Sequence, residues 1–193
     1  MTGGGTRLPV VGSAPAPGPP PGFQRIAIVG IGAVGGSLAM ALRRAWPGAL
    51  VIGVDASDVI EAAMRLHAID VGSDDLAIAG DADLVVLAAG PDENARVLPY
   101  LADAIPGEAI VLALGGGESV GELARRLPGR LPVVAGLPSI ELRGTGIHAA
   151  SPDLMHGRPW TFAPVTAAHE DMERMHGLVR AIGGDPDTEP PSA

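Results

Sequence analysis

The segment that constrains this chain most is "GIGAVGGS", Gly30 to Ser37, with four glycines in eight residues. The apolar run "RIAIV" leads into it and "LAMALRRAW" leads out. A short apolar run without strict alternation reads as a strand buried on both faces. The apolar spacing after the glycines reads as a helix. The glycines between them therefore mark an abrupt strand-to-helix turn. Ile26 to Leu42 carries no charge over 17 residues. A membrane span needs about 20 apolar residues without a strand and turn inside, so a span is not expected.

The same alternation continues downstream. "LVIGVD" (50–55), "ADLVVLAAG" (82–90), "EAIVLALG" (108–115) and "LPVVAG" (131–136) read as strands, and "RPWTFAP" (158–164) as a further one. "SDVIEAAMRLHA" (57–68), with Ser57 as N-cap, "PDENARVLPYLADAI" (91–105), "ESVGELARRL" (118–127) and "TAAHEDMERMHGLVRAIGG" (166–184) read as helices. Buried strands joined by helices predict an α/β, doubly wound, mostly parallel Rossmann sheet in a single domain. The folded part is expected from about Phe23 to about Asp187. The domain itself is drawn at 24–184, between Pro/Gly-rich disordered tails at 1–23 and 185–193.

At 193 residues the chain suits one domain, and 47% hydrophobic content supports a core. The net charge is −9, and all 13 basic residues are Arg. That balance argues against nucleic acid, whose phosphates call for a basic face. The absence of cysteine excludes disulfides and thiolate metal sites. Pro9 and the prolines after it give no signal-peptide shape, and a cytoplasmic protein is expected.

Gly30-x-Gly32-x-x-Gly35 in its strand–turn–helix setting is a dinucleotide-binding pattern. The first glycine allows the tight turn, the second lets the pyrophosphate approach the backbone, and the third lets helix and strand pack closely. Free N–H groups at the helix start then face the phosphates. Gly30, Ile31, Gly32, Ala33, Val34 and Gly35 are thus assigned to the cofactor, with Ala89 and Gly90 at the end of the third strand. Asp55 ends the second strand, 20 residues after Gly35. A carboxylate there accepts hydrogen bonds from the ribose hydroxyls of NAD and repels the 2′-phosphate of NADP. NAD is therefore expected over NADP, with FAD as the lesser alternative.

No catalytic residue and no metal site emerge from the remaining pattern. His169, Glu173 and His176 share a helix face and read as a solvated polar stripe. His67 reads as a surface or edge residue. His148 and His156 fall in the loop region after the fifth strand, where a substrate-facing group would sit.

"IAIVGIGAVGGSLAMALRRAWPGALVIGVD" resembles the opening of the prephenate and arogenate dehydrogenases. "HAIDVGSDDLAIAGDADLVVLAAGPDENARVLPYLADAIPGEAIV" and "GTGIHAASPDLMHGRPWTFAP", with its Gly157-to-Trp160 segment, extend the resemblance over Arg25 to Gly184. "LPVVAGLPSIELRGTGI" is also similar to pyrroline-5-carboxylate reductase, but slips by a residue in the loop. The first resemblance implies NAD(P)-dependent oxidative decarboxylation of prephenate or arogenate, in tyrosine biosynthesis. It implies a His in Gly-His-Pro that takes the substrate hydroxyl proton, and a Ser in Gly-Ser-Val-Lys that supports it. Here those positions read Gly136-Leu137-Pro138 and Gly115-Gly116-Gly117-Glu118, so Leu137 replaces the His, Gly116 the Ser and Glu118 the Lys. It also implies a helical C-terminal domain, expected to be absent from this chain. The expectation is an NAD-binding oxidoreductase acting on a small molecule, as a homodimer or with a separate helical partner chain. The alternatives are a non-catalytic NAD-binding sensor, or one half of a split enzyme.

Overall fold

A computed structural model describes residues 22–105, 109–115, 118–126 and 131–187. The strands are β1 (Arg25–Val29), β2 (Leu50–Val54), β3 (Val71–Ser73), β4 (Leu84–Leu87), β5 (Ile110–Leu114), β6 (Val133–Pro138), β7 (Pro159–Pro164) and β8 (Asp185–Asp187). The helices are α1 (Ala33–Ala45), α2 (Ser57–Arg65), α3 (Pro91–Ala104), α4 (Glu118–Arg126) and α5 (His169–Ala181). All eight strands form one sheet in the order β3-β2-β1-β4-β5-β6-β7-β8. Pairing is parallel except between β6 and β7. The order reverses at β1: the chain first moves outward to β2 and β3, then returns to β4 on the other side.

The uncharged strand runs are explained by burial on both faces. Alternate residues of β1 and β4 enter different cores. Ile26, Ile28, Leu84 and Val86 pack with α1, α2 and α5, whereas Ala27, Val29, Val85 and Leu87 pack with α3 and α4. Each such fully buried aliphatic side chain contributes about 1.5–3 kcal/mol. With few aromatics available, Trp160 and Phe162 on β7 join Trp46 and Phe23 in the first core, the β7 pair stacked with centroids 5.8 Å apart.

The structure differs from the sequence reading at several points. The fold reaches slightly beyond 24–184 at both ends. Phe23 is fully buried, with the Arg174 guanidinium 4.3 Å from its ring centroid, and Asp185–Asp187 pairs with β7 instead of starting a tail. Residues 1–21 and 188–193, on which the expected disorder falls, lie outside the described residues. β3 was not anticipated. It is three residues long and lies at the sheet edge, and its pairing is prepared by Asp70, whose carboxylate accepts from Val51 N at 2.8 Å. Ser57 is the first helical residue of α2, not its N-cap. Ala56 takes that place, and the Ser57 hydroxyl bonds Asp74 instead.

Candidate functional site

The glycine turn stands where the strand order reverses, at the C-terminal ends of β1 and β4. An open α/β sheet leaves a crevice for a ligand there, because neighbouring connections depart in opposite directions. Three of the four glycines have a steric reason of their own. Gly30 adopts φ +92°, and a Cβ on it would lie 2.5 Å from Ala89 N, so the turn is pressed against the segment after β4. A Cβ on Gly35 would collide with the Gly30 carbonyl oxygen. A Cβ on Gly36 would collide with Ile147 of the short 3-10 turn Ile147–Ala149, which seats on α1. The neighbouring Ser37 hydroxyl secures that seat, donating to Ala33 O at 2.5 Å and accepting from Ser151 N at 2.9 Å.

Gly32 is different. Its φ is −81°, open to any residue, and a Cβ there would meet nothing within 4 Å. No packing among the described residues requires a glycine at 32, so its bare backbone faces open space. Gly32 caps α1 without a side-chain hydrogen bond, and the first turn of α1 has no acidic residue. By contrast, α2, α3 and α5 each carry acids in their first turns. An acid there satisfies the positive helix end, and its absence leaves that end free for an external anion. The residues present therefore fit a dinucleotide pyrophosphate.

Asp55, half-buried, follows β2 and reaches back to the turn. Its Oδ2 accepts from Ile31 N at 2.7 Å and its Oδ1 from Ala56 N at 2.7 Å. The structure thus brings Gly30, Ile31, Gly32, Ala33, Val34, Gly35 and Asp55 together. Ala89 and Gly90 form the opposite wall, with Gly90 at φ +101° and open space where a Cβ would be. Sequence reasoning missed Asn94. This side chain is 1% exposed on α3 and ties the wall together. Its amide donates to Leu87 O at 3.1 Å and Leu114 O at 3.0 Å, and its Oδ1 accepts from Ala89 N at 3.1 Å. The available signal was an amide residue four positions after a helix-opening glycine.

Leu137 lies near the C-terminal end of β6, paired with Thr161, and is 54% exposed. It is an apolar group without a lone pair on the same side of the sheet as the glycine turn. Gly116 lies outside the described residues, as does the Glu118 side chain. The histidines do not converge on the crevice. His67 and His148 are exposed, on the turn after α2 and on the 3-10 turn. His156 lines a cavity of about 580 Å³ between the ends of α1 and α5, away from the glycine turn. His176 is not part of a solvated stripe: it is 6% exposed and packs 5.5 Å from the Phe162 ring, while His169 and Glu173 face solvent. Burial lowers its pKa, with Glu173 opposing the shift.

The fold and its turn define a doubly wound nucleotide-binding domain. The chain belongs to the prephenate dehydrogenase family, whose nucleotide-binding domain model matches residues 38–185. It is 30% identical over 145 residues to the prephenate dehydrogenase of Bacillus subtilis, covering 72% of this chain and 39% of that protein. The crystal structure of prephenate dehydrogenase from Aquifex aeolicus is similar at 25% identity and a TM-score of 0.79, over 87% of this chain and 62% of that one. A second structure of the Aquifex protein, in complex with hydroxyphenyl propionate and NAD+, is similar at 25% identity and a TM-score of 0.75, over 85% and 59%. The chain thus spans between about two fifths and three fifths of the length of these relatives.

Proposed function

We propose that this chain binds NAD and forms the nucleotide-binding half of a prephenate- or arogenate-type dehydrogenase, with a proton-transfer site that departs from the family pattern. The observation carrying the NAD reading is the open Gly32 backbone at an acid-free helix start, beside a carboxylate anchored to Ile31 N. The Asp55 charge favours ribose hydroxyls over a 2′-phosphate. In the reaction implied for the family, the C–H bond at the hydroxyl-bearing ring carbon breaks and its electron pair leaves as hydride. A base takes the hydroxyl proton. The ring carboxylate departs as carbon dioxide, and the aromatic ring forms with a proton returned to its oxygen. The nicotinamide, when bound, supplies the hydride acceptor. Leu137 cannot act as the base. A positioned base is typically worth about 10²–10⁴-fold in rate, so slow turnover is expected.

That same leucine favours a second reading, a non-catalytic NAD-binding module. Assay of NAD reduction with prephenate and with arogenate separates the two readings. Detectable reduced cofactor supports the enzyme; NAD binding without turnover on either substrate supports the module. A soluble cytoplasmic setting belongs to this proposal, and no helix among the described residues is long and apolar enough to cross a membrane. So does a helical domain on a separate partner chain, completing the substrate side beside the exposed Leu137 and Leu142.

A further inference from the structure

We propose that Asn94 positions the nicotinamide half of the dinucleotide, acting through the Ala88–Gly90 turn; this rests on the NAD reading above. The sheet order gives the direction. Asp55 at the end of β2 serves the adenosine ribose, the glycine turn at β1 serves the pyrophosphate, and the other half of the ligand crosses toward β4 and β5. Asn94 sits beneath that second half.

Its single carboxamide makes three hydrogen bonds to three backbone groups. One donor holds the last carbonyl of β4, Leu87 O, and the other holds the last carbonyl of β5, Leu114 O. The oxygen holds Ala89 N, the amide that a Cβ on Gly30 would strike. A single buried side chain therefore sets the spacing between two strand ends and the height of the turn above them. It also places that turn against Gly30. No other natural side chain of this size supplies two donors and one acceptor in a plane. Asp in its place keeps the acceptor for Ala89 N but turns a second oxygen toward two carbonyls, which drives the strand ends apart.

The test compares NAD with ADP-ribose, which lacks the nicotinamide, by calorimetric titration of the full chain and its Asn94→Asp variant. The expected result is a loss of about tenfold or more in NAD affinity, with ADP-ribose changed by less than about threefold. Equal loss for both ligands, or no loss for either, overturns the role of Asn94 while leaving the NAD reading intact. Failure of the native chain to bind either ligand overturns the NAD reading itself. If the variant does not fold, the native chain decides through NMR of the Asn94 side-chain amide. Its two proton resonances are expected to shift with NAD and stay in place with ADP-ribose. Identical responses to the two ligands overturn the proposal.

Discussion

At the scale of single residues, the four glycines of the turn separate into three positions held by packing and one, Gly32, that no packing among the described residues requires. A Cβ on Gly35 meets backbone, which cannot move aside without opening the turn. Gly35→Ala is therefore expected to destabilise the fold by about 3 kcal/mol, read as a lowered denaturation midpoint. Gly32→Val adds a Cβ that meets nothing within 4 Å among the described residues, at an ordinary φ. It is expected to leave the midpoint unchanged while lowering NAD affinity by about tenfold or more. The contrast between these neighbours distinguishes a binding turn from a merely glycine-rich one. Asp55→Asn retains an acceptor for Ile31 N but loses the charge. The ratio of NAD to NADP affinity is expected to fall by about tenfold, measured by parallel titrations. The glycine spacing and Asp55 were legible in the sequence because each depends on local chain geometry. Asn94 was not, because its partners Leu87, Ala89 and Leu114 meet only after β4 and β5 pair.

Among the elements, α5 shows where periodicity alone misleads. His169, Glu173 and His176 share a helical stripe, yet β7 crosses antiparallel to β6 and covers the His176 end with Phe162. That crossing has no signature in the helix itself. Its consequence is a pH dependence. Burial keeps the folded-state pKa of His176 below that of the unfolded chain, so the unfolded state takes up a proton first. The stability held by neutral His176 is complete above the ordinary histidine value near 6.5, and falls as pH drops below it toward the lower folded value. Denaturation midpoints between pH 7 and 5 are expected to fall for this reason, and His176→Leu is expected to flatten that slope. α2 carries a second local conflict. His67 sits at φ 54° just past its C-terminus, with Ala68 N bonding Ala63 O and His67 N bonding Met64 O. That left-handed closure suits glycine. His67→Gly is expected to raise stability by about 0.5–1 kcal/mol, because the strain relieved exceeds the added freedom of the unfolded chain.

For the whole molecule, the parallel sheet followed from uncharged runs that only two-sided burial explains, and the reversal at β1 placed the crevice. The short edges β3 and β8 were not legible. Three-residue strands carry no periodicity, and their existence depends on a neighbour being present. The architecture puts the exposed Leu137 at the same edge of the sheet as the glycine turn, so the proposed cofactor binding and proton transfer can be tested separately. Leu137→His is expected to raise prephenate turnover by about 10²-fold or more where the rest of the substrate pocket is supplied. It is expected to leave NAD affinity unchanged. The central claim, that this fold is a working NAD site, is tested most directly by calorimetric titration of the native chain with NAD. The account predicts saturable one-to-one binding that Gly32→Val weakens by about tenfold or more at unchanged stability. No saturable binding of NAD or NADP, or equal binding by the Gly32→Val variant, would contradict it.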